Sequence, residues 1–137
     1  MSRFTSSTVA LAACALALFA VAPACSADDA ATTAVNVELT SFQVTSDKPS
    51  VPAGKTKFTA SNVHTTDVHE LAVLLVKPDG SYENLGEVED IDPGKRGTVT
   101  IDLKPGTYVL ACLIVPGEAG STEDHLARGM HTDFEVK

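Results

Sequence analysis

Four side chains in the second half of the chain could together bind a redox-active metal. His69 begins the apolar run of residues 69–76, and Cys112 lies near the end of a second apolar run. His125 and Met130 follow Cys112 after a loop. One thiolate, two imidazoles and one thioether form the ligand set of a trigonal copper centre with a weak axial Met. The sequence therefore indicates a copper site of the kind that transfers single electrons.

The residues alone leave other roles open for these side chains. Each of the four could be structural, as a small buried hydrophobe, a core filler or a hydrogen-bonded histidine. His131 is the rival second imidazole, although we expect the closing strand to begin there. His64 is expected to be a solvated loop residue. A Cys–His hydrolase using Cys112 and His125 is disfavoured, because no oxyanion site or orienting third group is evident.

Alternation of apolar and polar residues predicts strands along most of the chain. Val35, Val37 and Leu39 alternate with polar residues, and a change of parity predicts a bend or bulge near residues 40–41. The remaining predicted strands are residues 56–62, 69–76, 96–103, 107–115 and 132–137. Because residues 69–76 are apolar at both parities, we expect that strand to be buried on both faces.

Turn signals separate these strands. Pro and Gly in residues 49–54 and 77–80 predict turns. Residues 81–93 are acidic and irregular, and we expect a surface loop or a short helix there. Short strands divided by turns, without a helical period, predict an all-β sandwich.

The N-terminus predicts export. Arg3 precedes an almost unbroken apolar segment at residues 9–21, which is too short to span a bilayer, and small residues follow it. Residues 1–25 are therefore predicted to be a signal peptide. The residues before Cys25 resemble a bacterial lipoprotein signal, which would lipidate Cys25; cleavage without lipid after Ala24 or Ala27 is the alternative.

The exported part divides into two predicted regions with an acidic overall charge. Residues 26–34 are a predicted flexible tether, and residues 35–137 form one domain. Removing Arg3 leaves nine of the ten basic residues against eighteen acidic ones, a net charge near −9. This charge disfavours nucleic acid as a partner and favours solubility, or attraction of a redox partner with a basic docking surface.

Three segments carry a resemblance to a known family. Residues 68–73 (VHELAV), 105–112 (PGTYVLAC) and 125–130 (HLARGM) resemble the corresponding stretches of cupredoxins, the small bacterial plastocyanin- and azurin-like blue copper proteins. The resemblance covers residues 35–137. It implies a Greek-key β-sandwich and one type 1 copper per chain, bound by His69, Cys112, His125 and Met130.

Two positions depart from the family pattern. Twelve residues separate Cys112 from His125, which is a longer loop than related proteins commonly have, although the spacing from His125 to Met130 is that of plastocyanins. We interpret residues 118–124 as a loop extension. Glu70 stands where plastocyanin and azurin have Asn, so the hydrogen bond from this position to the Cys loop is in doubt.

The expected function is that of an exported electron carrier, periplasmic or at the cell surface. We expect the protein to be a monomer. We also expect no enzymatic activity, because protein side chains fill all four copper positions. One alternative is a copper storage or delivery module that uses the same residues. Another is a metal-free cupredoxin-like interaction domain.

Overall fold

Nine strands form the part of the chain that the structure describes. The structure is a computed structural model that describes residues 31–137. The predicted signal peptide, Cys25 and residues 26–30 of the predicted tether lie outside the described residues. The strands are β1 (Thr33–Thr40), β2 (Gln43–Ser46), β3 (Ser50–Val51), β4 (Gly54–Asn62), β5 (His69–Val76), β6 (Tyr82–Ile91), β7 (Arg96–Leu103), β8 (Gly106–Ala111) and β9 (His131–Val136).

The strands form two sheets that face each other. One sheet has the order β2-β1-β4-β7 and the other the order β3-β9-β8-β5-β6. Residues 31–137 contain no helix, and thus none that is long and apolar enough to cross a membrane. The predicted all-β Greek-key sandwich is confirmed.

The predicted alternation matches the burial along β1. Val35, Val37 and Leu39 are fully buried between the sheets, while their neighbours along the strand are more exposed. Phe58 of one sheet meets Phe134 of the other edge to face, with ring centroids 5.5 Å apart. Such contacts between the inner faces bury apolar surface and fix the two sheets relative to each other.

Strand β5 lies inside its sheet, between β6 and β8, and is buried on both faces as predicted. Leu71 and Val73 belong to the core between the sheets. Ala72 and Leu74 point the other way and form a second apolar cluster with residues of β8. A strand enclosed in this way is a rigid support for the side chain at its first position, His69.

The prediction for residues 81–93 is wrong, because Tyr82–Ile91 form strand β6. This strand is at the edge of its sheet and most of its side chains are exposed or half-buried. Its backbone pairs with β5, and two shifts of register interrupt the pairing. An acidic, bulged edge strand lacks a regular apolar alternation, so its sequence does not look like a strand.

Smaller differences concern the ends of elements. The predicted strand 107–115 ends at Ala111, so Cys112 follows the strand. The predicted turn at residues 49–54 contains the two-residue strand β3, and β1 begins two residues before the predicted domain boundary. The bend predicted near residues 40–41 is a tight turn, since β1 and β2 pair antiparallel with Thr40 opposite Gln43.

Candidate metal centre

Strand pairing brings the predicted ligands to one end of the sandwich. Strands β5 and β8 run antiparallel with Ala72 opposite Ala111, so His69 and Cys112 lie at the same end of the two strands. The loop between β8 and β9 carries His125 and Met130. The loop returns to the sheet beside its starting point, because Ala111 pairs with His131.

Three of the four predicted ligands converge on one point. The Nδ1 atom of His125 lies 3.3 Å from Nδ1 of His69 and 3.3 Å from Sγ of Cys112. The ligand atoms of the three residues all lie within 4.8 Å of one another. His69 and Cys112 are fully buried, and His125 is 2% exposed. The cluster is therefore enclosed by protein.

Met130 is tied to two members of the cluster through its backbone. Its amide donates a hydrogen bond of 3.0 Å to the carbonyl of His125, and its carbonyl accepts one of 3.1 Å from the amide of Cys112. The side chain of Met130 is fully buried in the same apolar core as Cys112. These contacts place Met130 beside the cluster; its role as a ligand remains a prediction.

Burial sets the protonation of the cluster in the absence of metal. Burial, with the nearby His125, lowers the pKa of His69 from 6.5 to about 4. Burial also lowers the pKa of His125. The same effect raises the pKa of the Cys112 thiol from 9.0 to about 11, although backbone amides oppose it. At neutral pH both imidazoles are uncharged, and a metal ion would release the thiol proton when it binds.

The arrangement fits a first-row transition metal. Bonds of about 2.0 Å to imidazole nitrogen and about 2.3 Å to thiolate separate the ligand atoms of such a metal by roughly 3.3–3.7 Å. His125 Nδ1 lies 3.3 Å from both His69 Nδ1 and Cys112 Sγ, and all three ligand atoms lie within 4.8 Å of one another. The Nε2 atom of His69 is buried and has no hydrogen-bond partner within residues 31–137, so the one polar contact of this ring is at Nδ1. A mixed thiolate and imidazole set of this kind suits copper.

Glu70 supplies the hydrogen bond that the sequence placed in doubt. Its Oε1 accepts a bond of 2.7 Å from the amide of Leu113, the residue after Cys112. The amide of Glu70 also donates to Sγ of Cys112 at 3.4 Å. Burial, with neighbouring glutamates, raises the pKa of Glu70, while the Leu113 amide opposes the shift. A carboxylate thus replaces the expected carboxamide and still fixes the Cys loop.

His125 is held from the side opposite its Nδ1. The Nε2 atom lies 3.1 Å from Oγ of Ser121, in the predicted loop extension. The ring of Phe42 meets the imidazole edge to face at 5.4 Å, and the guanidinium of Arg128 covers Phe42 at 4.5 Å. Residues 66–68 and 119–123 line a shallow cleft next to His125. The extension is therefore part of the wall around the site.

His64 lies in a loop as expected, but the expectation that its side chain is solvated is wrong. Its side chain is only 18% exposed, and its ring lies 5.4 Å from that of His69. Its Nε2 contacts Oγ of Ser41 at 2.6 Å, and its Nδ1 accepts a hydrogen bond from the amide of Asp67. His64 therefore orders the loop that leads into β5.

Buried Asn62 also holds the loop that leads to His69, a role that was not predicted from the sequence. Its amide group donates to the carbonyls of Asp67 and Ile91, at 2.8 and 2.7 Å, and its Oδ1 accepts from the amide of His64. The bonds to His64 and Asp67 fix both ends of the loop before His69, and the bond to Ile91 ties the side chain to the end of β6. A buried polar residue at the end of a predicted strand was the available signal, because such a residue needs partners.

His131, the rival second imidazole, lies outside the cluster. It is the first residue of β9, is exposed, and pairs with Ala111 through the backbone. The cluster contains His125 instead. The rival assignment therefore has no support from the geometry.

Comparisons with solved structures show the same fold. Auracyanin from the photosynthetic bacterium Roseiflexus castenholzii is 21% identical, with a TM-score of 0.60, over 77% of this chain and 97% of that one. Auracyanin A, a blue copper protein from Chloroflexus aurantiacus, is 16% identical with a TM-score of 0.55, over 78% and 100%. Rusticyanin is 23% identical with a TM-score of 0.54, over 77% and 79%.

Sequence comparison defines the family. Comparison with curated proteins gave no match. The family model of the cupredoxin-like domain matches residues 9–120, which include His69 and Cys112 and end before His125 and Met130. Because the match covers most of the chain, the protein belongs to the cupredoxin-like domain family.

Proposed function

We propose that this protein is a type 1 copper protein that carries single electrons. The observation that supports the proposal is a buried cluster in which His125 Nδ1 lies 3.3 Å from both His69 Nδ1 and Cys112 Sγ. Met130 is proposed as the axial thioether, since its backbone is bonded to both Cys112 and His125. One copper per chain would supply the one-electron redox chemistry.

The surroundings of the cluster favour electron transfer over catalysis. His69 begins a strand that is buried on both faces, and Cys112 accepts a hydrogen bond from the amide of Glu70. Donors held by a rigid scaffold need not rearrange when the charge of the metal changes. With four protein donors, no position is left for a substrate, so we propose no enzymatic activity.

Burial also argues against the two alternatives. A storage or delivery module must pass its copper to an acceptor, yet His69, Cys112 and Met130 are fully buried. A metal-free interaction domain would have no need to crowd a thiol and two imidazoles into one buried cluster. Polar groups buried in this way lower stability unless they are satisfied.

Reversible redox cycling of the copper-loaded protein tests this function. We expect one copper per chain and a single reversible one-electron wave in voltammetry, with the copper retained after many cycles in the presence of a competing copper(I) chelator. Loss of copper to the chelator at the first reduction would support delivery instead. Failure to bind copper after reconstitution would support the metal-free domain.

The charge of the chain suggests the kind of partner. The chain carries a formal net charge of −8, and we propose a redox partner with a basic docking surface. Electron-transfer rates with such a partner should fall as ionic strength rises, because salt screens the attraction. A rate that is independent of salt would contradict this part of the proposal.

We also propose that the protein is exported and anchored by lipid at Cys25. The support is the order of charged, apolar and small residues before Cys25. The full-length protein should fractionate with membranes, and Cys25→Ser should release it or block its processing. Isolation of the wild-type protein only as a soluble species that begins after Ala24 or Ala27 would exclude the anchor.

A further inference from the structure

The loop extension contributes a side chain that contacts a proposed metal ligand. Residues 118–124 were identified in the sequence only as extra length between Cys112 and His125. In the fold, the amide of Ser121 donates to the carbonyl of Glu118 at 2.7 Å, and the carbonyl of Ser121 accepts from the amide of Gly117 at 2.9 Å. These backbone bonds close the extension into an ordered turn, which holds the Ser121 hydroxyl next to His125.

The hydrogen bonds of the Ser121 hydroxyl to Glu123 determine whether it donates to Nε2 of His125 or accepts from it. A hydroxyl has one proton to donate and two lone pairs to accept with. Oγ of Ser121 donates to the carbonyl of Glu123 at 3.0 Å, because a carbonyl can only accept, and it accepts from the amide of Glu123 at 3.0 Å. The remaining contact is with Nε2 of His125 at 3.1 Å. Since the hydroxyl proton is already used, Nε2 must be the donor.

This assignment determines the tautomer of His125. In a neutral imidazole one nitrogen carries the proton and the other has a free lone pair. With the proton on Nε2, the lone pair is on Nδ1, the atom that lies 3.3 Å from both Cys112 Sγ and His69 Nδ1. The hydrogen bond that a histidine makes through its second nitrogen commonly decides which nitrogen binds metal.

We propose that Ser121 is a positioning residue that holds His125 in the Nε2–H tautomer and directs Nδ1 at the metal position. The inference rests on the proposed copper function, and it gives the loop extension a role in that function. Because the hydroxyl is also bonded to Glu123, it cannot turn to accept elsewhere without breaking the turn. The extension thus supplies a fixed hydrogen-bond acceptor, the Ser121 hydroxyl, for Nε2 of His125.

Two measurements on matched variants test the proposal. The first is nitrogen-15 NMR of the histidine side chains in the metal-free protein, which reports the protonated nitrogen of His125. We expect Nε2–H in the wild type and a mixture of tautomers in Ser121→Ala. The second is copper affinity by competition with a chelator. We expect Ser121→Ala to lower the affinity about 10–100-fold, as is typical when the partner of a ligating His is removed.

Two further variants serve as controls. Ser121→Thr retains a hydroxyl and should keep the wild-type tautomer and an affinity within a few-fold of wild type. Thr100→Ala changes an exposed residue of β7, a strand that carries no residue of the cluster, and should alter neither property. A proton on Nδ1 in the metal-free wild type would overturn the proposal, even if Ser121→Ala did not fold. Unchanged copper affinity in Ser121→Ala would overturn it as well. A wild type that binds no copper but shows Nε2–H would contradict the proposed function and leave the tautomer assignment intact.

Discussion

The carboxylate of Glu70 accepts a hydrogen bond of 2.7 Å from the backbone amide of Leu113. Glu70 follows one proposed ligand, His69, and Leu113 follows another, Cys112. The bond therefore ties together the two chain segments that carry these ligands. It also brings a potential negative charge close to the thiolate, an effect that a carboxamide at this position would lack.

The charge and the hydrogen bond of Glu70 can be separated by substitution. Glu70→Gln keeps an oxygen acceptor for Leu113 and removes the charge, so the protein should keep its copper. The reduction potential at pH 8 should rise by on the order of tens of millivolts, because a negative charge favours copper(II) and a tenfold change in relative stability equals about 59 mV. Voltammetry measures the shift. Glu83→Gln is the control: Glu83 is exposed and lies opposite Leu75, near the far end of β5, so this change should leave the potential unchanged. An equal shift in both variants would show that the effect does not come from the charge of Glu70 beside the site.

Met130 is expected to tune the copper without being essential for its binding. Met130→Leu replaces a fully buried side chain with one of similar volume, so the free energy of unfolding should fall by less than about 1.5 kcal/mol. Copper should still bind, and the reduction potential should rise, since losing a weak donor destabilises copper(II) more than copper(I). Voltammetry and copper titration test this. A variant whose potential is unchanged or lower would show that Met130 is not an axial ligand.

Imidazole rescue distinguishes the two candidate second histidines. His125→Gly should lose the colour of the copper(II) protein and regain it when imidazole is added, because the small ligand can occupy the opened position. His131→Gly removes an exposed side chain at the start of β9 and should keep its colour without imidazole. Absorption spectra of both variants, with and without imidazole, make the comparison. If His131→Gly is the variant that loses and regains colour, the ligand assignment is wrong.

The stability of the metal-free protein should fall as the pH falls from about 6.5 to about 4. His69 has a pKa of about 4 in the folded protein, against 6.5 for an ordinary histidine, so the unfolded chain binds the extra proton first. The free energy of unfolding then falls with a slope of up to about 1.4 kcal/mol per pH unit from this residue. Urea unfolding of chelator-treated protein measures it. The loss of stability between pH 6.5 and about pH 4 should be smaller in His69→Gln than in the wild type, and the same as the wild type in His131→Ala. An equal loss in the wild type and both variants would contradict the lowered pKa of His69.

Much of the fold could be predicted from local patterns. The alternation at Val35, Val37 and Leu39 and the two-faced apolar run of β5 each reflect burial by neighbouring strands. Strand β6 could not be predicted, because it is held by backbone pairing with β5 while its side chains remain mostly exposed. The end of β8 at Ala111 could not be predicted either, because residues 113–115 continue the apolar pattern of the strand but lie in the loop after it.

The candidate site was predictable in its residues and not in its surroundings. The side-chain types of His69, Cys112 and His125 suffice to suggest a metal, and the fold brings the three together. The hydrogen bonds of Glu70 and Ser121 depend on how two loops meet in space, which no local pattern encodes. These contacts between distant segments are the part that required the structure.

The visible absorption spectrum of the copper-loaded protein, recorded for the wild type and for Cys112→Ser, tests the central claim most directly. The wild type should show the intense thiolate-to-copper(II) band of a trigonal site at one copper per chain. Cys112→Ser should lose this band, because a hydroxyl cannot replace the thiolate as a donor. A wild type that binds copper without the band, or a variant that keeps it, would contradict the assignment of Cys112 as a copper ligand.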